Sequence, residues 1–171
     1  MHFFNRGCNA AYFLSTIPKM NSMKQFIVIV CLTFSSVIFA QSIDYNTKKG
    51  YVAEGFDVVA YFTESKAIEG NKKISITYDT VNFKFSNKEN LALFKSDPEK
   101  YIPEYGGYCG YAIAVKGKKV SVNPKTFEIR EGKLYLFYNK GKTNTLQLWL
   151  KEGAEELLEK ADLNWQKFIN N

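Results

Sequence analysis

Apolar positions fall first in one unbroken block along this chain, and only later in alternating and helical spacings. The block runs from Phe26 to Phe39 behind Lys24 and is followed by Ala40, Gln41 and Ser42. A basic residue, an apolar run and a small residue in that order predict a secretory signal peptide cut near Ala40. The run falls short of the roughly 20 apolar residues that a spanning helix needs, so no stable membrane span is expected after cleavage. Residues 1–40 therefore read as an N-terminal extension and signal, with Met1, Met20 and Met23 all open as the start. Cys31 lies inside the apolar run and not at the cut, which argues against a lipid anchor. The protein is expected to be exported, to a periplasm or to the extracellular space.

Residues 41–50 read as a flexible lead-in and 51–171 as one domain. Gly55 and Asp57 predict a turn before a short buried segment containing Val58, Val59, Tyr61 and Phe62. Ile74, Ile76 and Tyr78 alternate with Ser75 and Thr77, and Val81, Phe83 and Phe85 alternate with Asn82 and Lys84. That pattern predicts a hairpin across Asp79 and Thr80 with one buried face. Ser86 followed by Glu89 predicts a capping box for a short helix carrying Leu91, Leu93 and Phe94, ended by Asp97 and Pro98, with a further turn through Tyr101. Val120 and Val122 predict a brief strand stopped at Asn123 and Pro124. A second hairpin is expected from Phe127 to Arg130 and Leu134 to Tyr138, joined by Glu131 and Gly132. Its second strand does not alternate, which predicts cover on both faces. Two helical stripes follow, Leu146, Trp149 and Leu150, then Leu157, Leu158, Ala161, Trp165 and Phe168, separated at Gly153. The fold class is α+β: two β-hairpins, short intervening helices and a helical C-terminus.

Composition narrows the chemistry. The chain has three cysteines and one histidine, and His2, Cys8 and Cys31 all precede the cut, so Cys109 alone remains. An internal disulfide, a Cys/His zinc site and a histidine-based nucleophile relay are thereby excluded from the mature chain. Losing Arg6, Lys19 and Lys24 leaves 20 of the 23 basic groups against 17 acids, a net charge near +3. The lysines are interspersed with acids and Arg130 is the remaining arginine, so a nucleic acid is not an expected partner.

The segment Tyr105-Gly106-Gly107-Tyr108-Cys109-Gly110-Tyr111 is the main candidate for chemistry. Its glycines allow close backbone approach, its tyrosines supply ring surface, and Cys109 is the lone thiol. The plainer reading is a buried, inert thiol packed among Tyr105, Tyr108 and Tyr111. Asp57, a carboxylate in an apolar segment, is either a turn or capping residue or a ligand-binding group. The ligand-binding candidates are Cys109, Tyr108, Tyr111, Tyr105, Gly106, Gly107 and Asp57. No catalytic or metal-binding residue is assigned.

Tyr78, Phe83, Phe85, Ser86, Asn90, Leu91, Phe94, Pro98 and Tyr101 occur in an order that resembles the YHS domain family, small modules also attached to copper-transporting P-type ATPases. The segments Gly55 to Phe62, Gly106 to Cys109 and Gly132 to Leu136 look like the longer, exported YHS-domain proteins. The resemblance implies copper as a possible cofactor, since metal-handling members place cysteines where this chain has Ala60, Ser86 and Asn90. A methyl, a hydroxyl and an amide do not replace soft thiolates, so no cofactor is expected at that place. Three readings remain. The favoured one is a small soluble, non-enzymatic binding module of the cell envelope, with a small ligand or an envelope protein held at Gly106 to Tyr111. The second is a weak metal-binding or metal-trafficking protein, with Cys109, Asp57 or tyrosine oxygens as replacement ligands. The third is a thiol enzyme or redox protein using Cys109.

Overall fold

A computed structural model describes residues 43–170, and the expected signal peptide lies outside them. Strands β1 (Thr47–Lys48) and β2 (Tyr51–Val52) come first, followed by the short helix α1 (Ala60–Thr63). The first hairpin is β3 (Asn71–Tyr78) with β4 (Val81–Phe85), and helices α2 (Lys88–Ser96), α3 (Pro98–Tyr101) and α4 (Gly110–Lys116) succeed it. The second hairpin is β5 (Asn123–Arg130) with β6 (Lys133–Phe137), then the small pair β7 (Asn139–Lys140) and β8 (Thr143–Asn144). Helices α5 (Thr145–Glu152) and α6 (Ala154–Ile169) close the chain, parted at Gly153 with φ 101°. The architecture is α+β, as the pattern of apolar positions predicts.

Both hairpins turn where the sequence places them, and for the same reason. Asp79 and Thr80 have φ of 45° and 69°, and Glu131 and Gly132 have φ of 50° and 75°. Two successive left-handed residues make a type I′ turn, whose twist matches that of the strands it joins. Strand β6 shows why alternation was absent: Leu134 and Leu136 enter one core and Tyr135 and Phe137 the other, all four buried. In the first core Phe94 of α2 meets the rings of Phe83, Phe85 and Tyr78 at 4.8, 5.2 and 5.8 Å. In the second, Trp149 packs on Phe137 and donates its indole N–H to Glu128 Oε2 at 3.0 Å. Arg130 bonds Glu128 and Glu155, each at 2.7 Å, so this arginine ties the hairpin to α6.

Four local expectations differ from the structure. The lead-in expected to be flexible is, from Ile43 onward, part of the packed unit. Its β1 pairs with β2, which lies parallel to β4, giving the sheet order β1-β2-β4-β3. Tyr45 is 6% exposed and meets Phe83 edge-on, burial that a single ring among polar neighbours does not reveal by periodicity. Second, the helix α2 cap is Asn87, whose side chain accepts from the Asn90 N–H at 2.7 Å. Ser86 is drawn away from capping by a buried carboxylate described below. Third, Val120 and Val122 form no strand; β5 begins at Asn123 and runs through Pro124, where the register shifts before Phe127. Finally, Leu150 is 50% exposed, so the α5 stripe rests on Trp149. Among the described residues no helix is long and apolar enough to cross a membrane.

Candidate functional site

After Pro103 the backbone makes a tight 3₁₀ turn over Glu104–Gly107, with Tyr105, Gly106 and Gly107 at φ of 54°, 61° and 80°. The glycine here answers the chain's own needs. A side chain on Gly106 would run into the Asp44 carbonyl, and Asn46 clamps the turn through its N–H to Gly106 O (2.8 Å) and its amide to Gly107 O (2.9 Å). The expected room for a ligand is filled by the lead-in at Gly106 and lined by Pro103 and Leu136 at Gly107.

The three tyrosines diverge. Tyr105 is buried and donates to Asp162 at 2.8 Å, Tyr108 reaches Asp44 at 3.4 Å, and Tyr111 donates to the Glu152 carboxylate at 3.0 and 3.1 Å. Burial first, and then the carboxylate each one meets, hold the Tyr105 and Tyr111 hydroxyls above the usual phenol range. For Tyr108 the causes run in the same direction, burial leading. These oxygens are protonated donors to carboxylates and do not converge as metal ligands.

Cys109 and Tyr111 share a cleft of about 450 Å³ with Ala112, Lys116, Val120, Tyr138, Thr143, Thr145 and Leu148. Helix α4 forms one wall, and the chain from Tyr138 through the start of α5 forms the other. Cys109 lies beneath the floor, 0% exposed. Its sulfur accepts the Tyr138 N–H at 3.3 Å and sits 3.3 Å from Thr145 Oγ1. Thr145 gives its single hydroxyl proton to Tyr138 O at 2.8 Å, so the thiol must donate to Thr145 Oγ1. The thiol proton therefore has a place in the fold. Iodoacetamide should alkylate native Cys109 at least ~100-fold more slowly than the urea-unfolded chain, because reaction waits on local opening. Equal rates, followed by intact mass, would mean a reactive surface thiol.

Lys116 stands at the rim and, among the described residues, makes no ion pair. Lys116, Tyr138, Thr143, Thr145 and Leu148 are site residues that the sequence does not single out. Tyr138 stands in the sequence only as the end of the second hairpin, and Tyr138, Thr143, Thr145 and Leu148 lie 29 or more positions beyond Cys109.

Asp57 sits elsewhere, 0% exposed, at the entry to α1. Its Oδ1 accepts the Val59 and Ala60 N–H groups at 2.9 and 3.3 Å. Its Oδ2 accepts the Ser86 N–H and hydroxyl, both at 2.7 Å, and the Asn90 side-chain amide at 2.8 Å. Ala60, Ser86 and Asn90, where the family resemblance implies thiolates, thus surround a carboxylate with hydrogen-bond donors. Donors aimed at an anion do not suit a soft cation, and this group does not fit copper. Among the described residues no three His, Cys, Asp or Glu side chains gather as a metal-binding group.

Fold and site together define an α+β domain with a thiol-floored cleft and, separately, a buried carboxylate network. No family model matches the chain, and no curated protein or solved structure matches it either.

Proposed function

We propose that this protein is an exported, non-enzymatic binding module of the YHS type, holding a small apolar ligand with an anionic end in the cleft above Cys109. One observation carries this reading: apolar Ala112, Val120 and Leu148 line the cleft, and Lys116 at its rim has no ionic partner among the described residues. Its volume falls in the range of about 300–1,000 Å³ common to small-molecule sites. A thiol already engaged as donor and acceptor supports binding over nucleophilic chemistry. The convergence of Tyr78, Phe83, Phe85 and Phe94 into one ring cluster supports the family reading, and the leader pattern supports export.

The apolar anion 8-anilinonaphthalene-1-sulfonate is a suitable probe. It should bind saturably at one site per chain and raise the thermal midpoint. Ala112→Phe, which fills the cleft, should abolish binding, and Lys116→Glu should weaken it about tenfold, the loss of roughly 1.4 kcal/mol. Unsaturable binding, or equal binding by Ala112→Phe, would count against the cleft.

A further inference from the structure

A second groove lies between strand β3 and helix α2, and it shares no lining residue with the Cys109 cleft. It encloses about 250 Å³ over a floor of Ile74, Leu91 and Ala92, and is rimmed by Lys73, Lys88 and Lys95. No acid lines it. Among the described residues none of the three lysines makes an ion pair. Another cleft, near the start of β3, holds Lys48, Lys49, Lys72 and Lys84 against Glu54 and Glu69, so its lining is also net positive. Lys73, Lys88 and Lys95, dispersed in the sequence among acids, are thus collected by the fold around one groove.

Strand β3 is also the free edge of its sheet. Tyr78 and Val81 flank the two-residue turn and so form a hydrogen-bonded pair, as do Ile76 and Phe83 two positions on. The backbone N–H and C=O groups of Ser75 and Thr77, on either side of Ile76, therefore point away from β4.

We propose that this groove binds an extended acidic peptide, added as a strand along β3. Strand addition uses the backbone groups of an exposed edge, and side-chain pockets then select the sequence. Lys88 and Lys95 lie seven residues apart, about 10 Å along the helix, with Leu91 and Ala92 between them. Residues four apart on a strand span about 13 Å and point the same way. A segment with the pattern acid, any, apolar, any, acid thus sets an apolar side chain on the floor and a carboxylate near each lysine. A flat anionic membrane would meet the lysines but leave the concave floor and the strand edge unused. Lysines also serve on edge strands to deter pairing, and that role predicts no binding at all.

The test uses fluorescein-labelled Gly-Glu-Ser-Leu-Thr-Glu-Gly, capped at its C-terminus, with the purified protein at low salt, read by anisotropy. Binding should saturate at one peptide per chain, weaken at least tenfold in Lys88→Glu/Lys95→Glu, and vanish when lysines replace the peptide's glutamates. Both replaced positions are exposed, so circular dichroism and the thermal midpoint should be unchanged. Amide exchange at Ser75 and Thr77 should slow on peptide addition, a response that charge attraction alone does not produce. Absence of saturable binding, indifference to the charge reversal, or unprotected Ser75 and Thr77 would each overturn the proposal. So would phosphatidylglycerol vesicles that sediment the protein while excess peptide fails to release it.

Discussion

Asp57→Ala is expected to remove about 5 kcal/mol of folding stability, comparable to everything a marginal domain has. Five hydrogen bonds from Val59, Ala60, Ser86 and Asn90 end on this one carboxylate. Truncation leaves most of those donors without an acceptor, and each buried orphan costs about 1–3 kcal/mol. Ser86 and Asn90 recover a little through their mutual contact at 3.4 Å, and the Ala60 N–H keeps its bond to the Asp57 backbone carbonyl at 3.2 Å, while the Val59 N–H loses its acceptor. The expected sum matches the upper end of what truncating a buried aromatic costs, about 3–5 kcal/mol. Asp57→Asn should rescue little, since its amide nitrogen would face donors. Urea unfolding followed by far-ultraviolet circular dichroism measures the loss. A change below about 1 kcal/mol would mean that water or rearrangement supplies the missing acceptor.

Gly106→Ala should cost about 3 kcal/mol, and for a reason unconnected with any ligand. The position has φ 61°, where an L-residue pays roughly 1–2 kcal/mol. The added methyl also displaces the Asp44 carbonyl, which breaks the bond from the Asn46 N–H to Gly106 O and loosens buried Tyr45. Loss of one such bond is worth about 1 kcal/mol. Hydrogen exchange at Asn46 should accelerate together with the fall in stability. A destabilised protein whose Asn46 amide stays protected would contradict the role assigned to the lead-in.

These two positions mark where the sequence was legible and where it was not. The hairpins could be read because alternation and turn residues are local properties, held within about ten residues of one another. Doubly covered β6 could be read from its lack of alternation, and Gly153 from its place between two apolar stripes. The capping box failed because Asp57, 29 positions before Ser86, competes for the same hydroxyl. Asp57 stood out as a carboxylate in an apolar segment, yet its partners are set by the packing of α1 against the first hairpin. Likewise, Gly106 was recognisable as a tight turn, while the neighbour that makes it necessary lies 62 positions earlier. The Cys109 cleft draws on α4, the end of the second hairpin and α5, and no local pattern encodes that assembly.

Under the proposed function, recognition rests on the shape and charge of the Cys109 cleft and not on a bound ion or a reactive thiol. Native mass spectrometry of protein purified without denaturation from cells that make it addresses this directly. The expected result is a discrete excess mass from one organic ligand, absent after denaturation and absent from Ala112→Phe. A stoichiometric copper or zinc adduct that survives in Ala112→Phe would contradict it.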